Sequence, residues 1–494
     1  MKTAIIGSGI GGLATAIRLA VRGYEVTVFE KNDHPGGKIS ELRTGNYRFD
    51  TGPSLFTLPQ LAEELFEMCG ENPAEWIPHE RLETNCKYFF PDCTVFNFYQ
   101  DRDKLTKELH EKIGSDDAEC IFHRLEKSRE IYELSAPVFL FSSFRKLSNF
   151  NTPAYKRIAS QLYKLDFFRT MHQANRYEFS DTRMMQIFDR YATYNGSNPY
   201  KAPATLNMIA HLENNIGVFF PKKGMYSIVD SFYRLAVKKG VNFRFNTKVE
   251  RIITKDKKAK GVITPEGFEE FDLIISDADA KYVASKLLPK HPLKSRLEKA
   301  EPSSSALIFY WGVERTYPEL ELHNILFSRD YHMEFRKIFR EQTLHHDPTV
   351  YIFISSKLVK GDAPEGHENW FVMVNAPANS GQDWNKLVIN ARRNIITKIS
   401  RILRTNIEKY IVSENIVSPL TIEQNTMSTD GALYGTSSNS MFSAFLRHPN
   451  FLSSMQNLYF VGGSVHPGGG IPLCLASAKI VDNEISEKYE QNIR

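Results

Sequence analysis

With 494 residues, 42 % hydrophobic and 24 % charged, the chain has ordinary globular composition and length for two or three domains. A net charge of +4 creates no large basic field, so nucleic acid is not expected as a partner. The five cysteines fit neither a zinc site nor a Cys-x-x-Cys pair, so reduced thiols and no metal are expected, and no run of about 18 apolar residues offers a membrane span.

The chain opens on Thr3–Ile6, a short apolar run suited to a buried parallel strand, so this end reads as the first strand rather than a signal peptide. Gly7, Gly9 and Gly12 then fit Gly-x-Gly-x-x-Gly, with Ser8, Ile10 and Gly11 between them. Leu13, Ala14, Ile17 and Leu19 continue at helical spacing. Glu25–Phe29 reads as a second strand, with Glu30 at its carboxyl end and Lys31 beside it. In such a unit Gly7 makes the tight turn, Gly9 lets the backbone approach a pyrophosphate, and Gly12 lets helix and strand pack closely. The helix N-terminus offers free N–H groups to the phosphates. Glu30 can accept hydrogen bonds from ribose hydroxyls and would repel a 2′-phosphate, so NADP is not expected.

The next motifs favour FAD over NAD. Gly36-Gly37-Lys38 lets the chain fold back over the cofactor, and Gly52-Pro53 makes a stiff turn that can lie near a flavin. Residues 76–136 and 291–419 carry alternating apolar stretches, such as Ala306–Val313 and Val350–Ile354, suited to an antiparallel sheet wall for a substrate. Residues 137–218 interleave aromatic and basic side chains. Phe139, Phe141, Phe144, Tyr155, Tyr163, Phe167 and Phe168 lie among Arg145, Lys146, Lys156, Arg157, Lys164, Arg169 and Arg176. That mixture suits a helix lying in a membrane interface. Residues 219–290 read as an amphipathic helix over Met225–Lys239, a strand over Val241–Phe245, a meander over Lys248–Ile253 and Gly261–Thr264, and a strand over Leu273–Ser276. Residues 458–472 read as a buried strand and a glycine-rich turn, with a helix from about Leu473. Gly463, Gly470, Ile471 and Pro472 would thus bring a second helix N-terminus to an electron-rich group such as the flavin N1–C2=O edge.

These pieces predict an α/β chain. Residues 1–75, 219–290 and 420–494 form a discontinuous Rossmann-like FAD-binding domain. Residues 76–136 and 291–419 form a mixed-sheet substrate domain, and 137–218 a helical, membrane-associating region.

At this point the chain resembles the flavin-dependent carotenoid desaturases of the bacterial phytoene desaturase type, within the amine oxidase-like FAD superfamily. The resemblance rests on the block to Ser54, on Asn195-Gly-Ser-Asn-Pro-Tyr, on His211-Leu-Glu through Gly224, and on Gly462 through Ala478. Cys86-Lys-Tyr-Phe-Phe-Pro-Asp further resembles the 1-hydroxycarotenoid 3,4-desaturase branch. The resemblance implies one non-covalent FAD, a backbone approach to adenine at Val249, and a carotenoid substrate dehydrogenated by hydride transfer. It also implies a quinone or oxygen as electron acceptor, and a cytoplasmic protein peripheral on the inner face of the cell membrane. Similar phytoene desaturases carry an acid after Ser-Phe-Arg. Here Lys146 follows Ser143-Phe144-Arg145, which leaves Arg145 as the candidate catalytic residue and counts against phytoene. The alternatives are phytoene desaturase, a carotenoid isomerase or amine oxidase relative, and a non-catalytic lipid-escort protein on the same fold.

Overall fold

A computed structural model describes residues 1–143, 146, 149, 151–288, 291–440, 443–444 and 447–489. The strand Lys2–Ile6 lies inside a sheet of nine strands. It pairs in parallel with Glu25–Phe29 on one side and with Leu273–Ser276 on the other. Asn242–Arg244 extends the parallel set beyond Glu25–Phe29, and Met455–Phe460 extends it beyond Leu273–Ser276. Three distant stretches of chain therefore build one sheet. Its central strands are covered on both faces, as their unbroken apolar runs require: Ala4, Ile5, Ile274 and Ile275 are fully buried. Helices Ile10–Val21, Tyr226–Lys238 and Ile471–Tyr489 share the core that covers one face. Arg251–Lys255, Lys258–Thr264 and Gly267–Glu270 form an antiparallel meander at the edge.

A second, mixed sheet has seven strands. In order they are Ile411–Val417, Ser305–Val313, Glu368–Ala376, Val350–Phe353, His323–Leu326, Thr84–Phe89 and Val95–Tyr99. Only the pairing of His323–Leu326 with Thr84–Phe89 is parallel. Side chains alternate along Ser305–Val313. Leu307, Phe309 and Trp311 pack under helix Trp384–Ile402, while Ala306, Ile308 and Tyr310 face the nucleotide-binding half.

Several expectations need correction. The sheet expected across 76–136 is confined to its first part, and Ser115–Phe139 is a helix of 25 residues that runs past residue 136. Its buried side chains Ala118, Ile121, Leu125, Ser128, Ile131, Leu134 and Val138 recur at helical, not strand, spacing. Residues 137–176 are not one interfacial helix. Among the described residues they hold the end of that helix, helix Pro153–Ser160, a 3₁₀ turn at Leu162–Leu165 and the start of helix Met171–Glu178. Phe139 and Tyr155 turn inward to a core with Ile131, Leu134 and Ile158. Phe144 lies outside the described residues. Among the described residues, the exposed large apolar side chains there are Leu162, Tyr163, Phe168 and, further on, Tyr177. Among the described residues, no helix is long and apolar enough to cross a membrane. The last helix begins at Ile471 rather than Leu473, since Pro472 lacks only an N–H that a first turn leaves unused. The strand expected from Lys248 begins at Arg251, because Thr247 N donates to Glu30 O (2.8 Å) and holds 247–249 across the nucleotide site.

Candidate cofactor and substrate site

The first strand ends at Ile6, and Gly7 N donates to Phe29 O at 2.8 Å, which closes the turn into helix Ile10–Val21. Glu30 is buried at the end of the neighbouring strand. Its Oε2 accepts from Ser8 N (3.0 Å) and Ser8 Oγ (2.7 Å), and its Oε1 accepts from Asn32 N (2.9 Å). A carboxylate has about four lone-pair sites, so acceptor capacity remains for a ribose. A Cβ on Gly12 would lie 2.3 Å from Gly7 O, so the helix can approach the loop this closely only with glycine there. A Cβ on Gly9 would lie 2.5 Å from Asp277 Oδ2.

Asp277 was not anticipated. It follows strand Leu273–Ser276 directly, and its N–H donates to Ile6 O (2.9 Å). Its buried carboxyl accepts from the backbone of Gly12 and Gly9. Burial pushes that carboxyl up to about 7, these hydrogen bonds oppose the shift, the Glu30 charge adds to it and Lys38 opposes it. The available signal was its position: a polar residue at the carboxyl end of a central parallel strand, where open α/β sheets bind ligands.

The remaining motifs close around the same space. Gly9 and Gly36 form an isolated bridge, and Gly36 N donates to Ser8 O (2.9 Å). Lys38 is buried, which lowers its pKa, and its Nζ donates to Leu433 O. Lys31 Nζ donates to Gln424 O (2.8 Å). Both lysines thereby tie the N-terminal motifs to the C-terminal stretch. Gly52 has φ +88°, and a Cβ there would lie 1.9 Å from Lys38 O, so only glycine makes this turn.

One cavity of about 1230 Å³ runs through all of these groups. Gly7, Ser8, Gly9, Ile10 and Gly11 line it with Glu30 and Lys31. So do Gly37, Lys38, Gly52, Pro53 and Val249, and, from the C-terminal motif, Gly463, Gly470, Ile471 and Pro472. Gly12 is packed behind the loop instead. Arg145 lies outside the described residues. Lys146 is paired with Glu484 (3.2 Å) and Glu487 of the last helix, outside the cavity wall. Its identity therefore says little about proton transfer to substrate.

Residues 10–485 match the family described as flavin containing amine oxidoreductase. The chain belongs to that family. It is 45 % identical to 1-hydroxycarotenoid 3,4-desaturase of Flavobacterium sp. (strain P99-3), over 97 % of this chain and 98 % of that protein. It is 31 % identical to phytoene desaturase of Fusarium fujikuroi, over 97 % of this chain and 88 % of that protein. Among solved structures, a putrescine oxidase redesigned in cofactor binding superposes with a TM-score of 0.63. That match has 14 % identity and covers 99 % of both chains, a likeness of fold alone.

The protein is thus an FAD-dependent oxidoreductase of the flavin amine oxidoreductase family. FAD fits the residues present: a buried carboxylate with spare acceptor capacity, a helix N-terminus beside it, and a second helix start at Ile471 next to Gly470, where even a Cβ would meet nothing. Beyond Gly52-Pro53-Ser54 the flavoenzyme's cavity continues along Ala306, Ile308, Tyr310, Phe371 and Met373 of the mixed sheet, with Leu140, Met208 and Ile209 from the helical side.

Sequence reading also missed a buried polar cluster in this part of the wall. Arg190 donates to Glu213 (2.7 Å) and to Tyr88 OH (2.9 Å), and Tyr191 and Tyr194 donate to the same carboxylate. Burial works against the Arg190 charge, but Glu213 together with Tyr88, Tyr194 and Tyr191 outweighs it and keeps the guanidinium's pKa raised. Glu213 belongs to the His211-Leu-Glu segment noted in the sequence; its partners come from residues no local pattern connects. On the sheet, Ser54 Oγ, Tyr351 OH and His323 Nδ1 form a hydrogen-bonded chain at 2.6 and 2.8 Å. Among the described residues, no group of three or more His, Cys, Asp or Glu side chains is placed to hold a metal.

Proposed function

We propose that this flavoenzyme is a carotenoid desaturase that introduces the C3–C4 double bond into 1-hydroxycarotenoids. The observation that carries the reading is the single cavity, continuous from the Glu30 cradle to an aromatic and aliphatic wall. A dinucleotide at one end leaves an apolar channel suited to a polyene, and full-length likeness to the 1-hydroxycarotenoid 3,4-desaturase supports the choice of substrate. Bound FAD supplies the two-electron acceptor for the carbon–carbon dehydrogenation, and a quinone or oxygen takes the electrons afterwards. The Glu30 carboxylate holds the ribose, and Val249 borders the adenine side. Gly463, Gly470, Ile471 and Pro472 border the flavin. The apolar wall orients the polyene and excludes water. Arg145 is retained as the candidate catalytic residue.

Leu162, Tyr163 and Phe168, exposed beside Lys156, Arg157 and Lys164, form the contact with an anionic lipid surface from which the apolar substrate enters. A basic rim of this kind suits the cytoplasmic leaflet. The test is incubation of the purified flavoprotein and lipid vesicles with a 1-hydroxylated carotenoid or with phytoene. The hydroxylated substrate should lose two hydrogens by mass and shift its absorbance to longer wavelength, while phytoene stays colourless. Coloured products from phytoene with no change in the hydroxylated carotenoid would make the protein a phytoene desaturase.

A further inference from the structure

Two glycine-bearing motifs meet on one tyrosine ring at the flavin end of the cavity. A Cβ on Gly196 would lie 2.8 Å from Tyr434 Cδ2, and a Cβ on Gly469 would lie 2.3 Å from Tyr434 Cδ1, so the ring is packed between them. Its backbone is fixed as well. Tyr434 N donates to Ser303 Oγ (3.0 Å), and the buried Arg447 donates to Tyr434 O (2.9 Å). The far end of the side chain is not held. Tyr434 is half-buried and lines the cavity, and its hydroxyl has no hydrogen-bond partner among the described residues. That hydroxyl is open to the cavity, whereas the unpartnered atoms of Asn85, His323 and Tyr331 are closed off from it. Burial pushes the phenol up to about 12, so it keeps its proton. Asn195, which precedes Gly196, lines the same cavity. Its side-chain amide is also without a partner among the described residues, and it too is not closed off. Other polar side chains near this pair are engaged: Thr193 donates to Arg190 O, Tyr194 to Glu213 and Lys38 to Leu433 O.

A phenol and an amide side by side can both donate and accept, which is what an alcohol needs from its site. The place fits as well. In a 1-hydroxycarotenoid the oxygen on C1 is three bonds of about 1.5 Å each from C3. C3 and C4 must touch the flavin that takes the hydride. The group that binds the hydroxyl therefore stands where protein borders the flavin. Tyr434 meets that condition. Its ring packs on Gly469, next to the Gly470-Ile471-Pro472 segment that borders the flavin in the reading above. We propose that Tyr434, with Asn195 beside it, binds the tertiary hydroxyl of the substrate and sets discrimination against carotenoids that lack it. This rests on the desaturase reading above.

A polar pair left unsatisfied by the deoxy substrate disfavours it, so the wild-type protein should prefer the hydroxylated carotenoid over its 1-deoxy analogue by at least about tenfold in kcat/KM. Tyr434→Phe removes one oxygen and keeps the ring between its two glycines. It should lower kcat/KM for the hydroxylated substrate, leave that for the deoxy analogue equal or higher, and collapse the ratio by about tenfold. Asn195→Ala should lower the ratio in the same direction, with FAD content and flavin absorbance unchanged in both variants. An unchanged ratio in Tyr434→Phe overturns the proposal, as does an equal loss on both substrates. A variant that loses FAD or shifts the flavin spectrum while the ratio holds assigns the pair to the cofactor, which overturns it too. So does a wild-type enzyme that turns over both substrates equally, whatever the variants do. If the wild type ignores both and converts phytoene, the desaturase reading itself has failed, and this inference falls with it.

Discussion

At the scale of single residues, the Asp277 carboxyl lies against the glycine loop at the start of helix Ile10–Val21, where a pyrophosphate is proposed to bind. It faces Glu30, Lys38 and the Cys474 thiol, so the only cation among these neighbours is one lysine. With its pKa raised from the ordinary carboxylate value to about 7, the folded chain holds a proton that the unfolded chain has lost over the window between. Stability of the cofactor-free protein should therefore fall as pH rises through that window. Phosphate charge nearby favours the protonated carboxyl further, so binding takes up a proton once pH exceeds about 7. FAD affinity should then decline by up to about tenfold per pH unit. Asp277→Asn should flatten that decline and bind FAD more tightly at alkaline pH. Flavin fluorescence titrations at several pH values measure both; a flat wild-type profile would show that Asp277 does not compete with the cofactor. The place of Glu30 at the end of the second strand was legible from sequence, because it follows from the spacing behind the glycines. Asp277 was not, because what makes it unusual is burial beneath a loop some 270 residues away in sequence.

At the scale of elements, strands with continuous apolar runs were readable almost to the residue: Glu25–Phe29 and Leu273–Ser276 stand where the sequence puts them. Helix Ser115–Phe139 was not, because its apolar face is thinned by serines at 128 and 135 and its pattern is weak over 25 residues. The aromatic and basic stretch after it was half legible. Composition revealed an unusual surface but could not tell the inward Phe139 and Tyr155 from the outward Tyr163 and Phe168, which are 80 % and 95 % exposed. The outward pair defines the experiment. Lys156, Arg157 and Lys164 each contribute about 1 kcal/mol near an anionic surface, so replacing all three with Gln should weaken vesicle binding by about a hundredfold. Replacing Leu162, Tyr163 and Phe168 with Ser should also reduce binding, but without the salt dependence of the basic set. Co-sedimentation with anionic vesicles, with retained flavin absorbance as the control, decides it; equal sedimentation of all forms would mean that the patch is simply solvated.

At the scale of the whole molecule, the cavity is the place where separate stretches of chain meet. Glu30 and Gly52 come from the first, Val249 and Asp277 from the second, Gly463 and Gly470 from the third, and the mixed sheet supplies the far wall. Their convergence follows from sheet order, since Met455–Phe460 enters beside Leu273–Ser276, which itself lies beside Lys2–Ile6. Direct ties across the cradle include Lys31 to Gln424, Lys38 to Leu433, Thr247 to Glu30 and Lys281 to Asp430. A cofactor filling the cradle adds contacts to every one of these stretches at once and binds only the assembled form. Free FAD at a hundred times its Kd should then stabilise the folded chain by about 2.7 kcal/mol, seen as a Tm that climbs with FAD concentration. Glu30→Gln keeps the side chain's size but removes a charge-assisted acceptor, a loss of roughly 1.5–3 kcal/mol. The variant should show the same rise in Tm only at about ten to a hundred times more FAD, and its cofactor-free Tm should fall as well, because Gln accepts on one oxygen only and its NH2 would face the N–H of either Ser8 or Asn32. Thermal unfolding across an FAD series separates the two effects. If the variant's rise in Tm overlays the wild type's, Glu30 serves only to cap the glycine loop and the ribose is held by other groups.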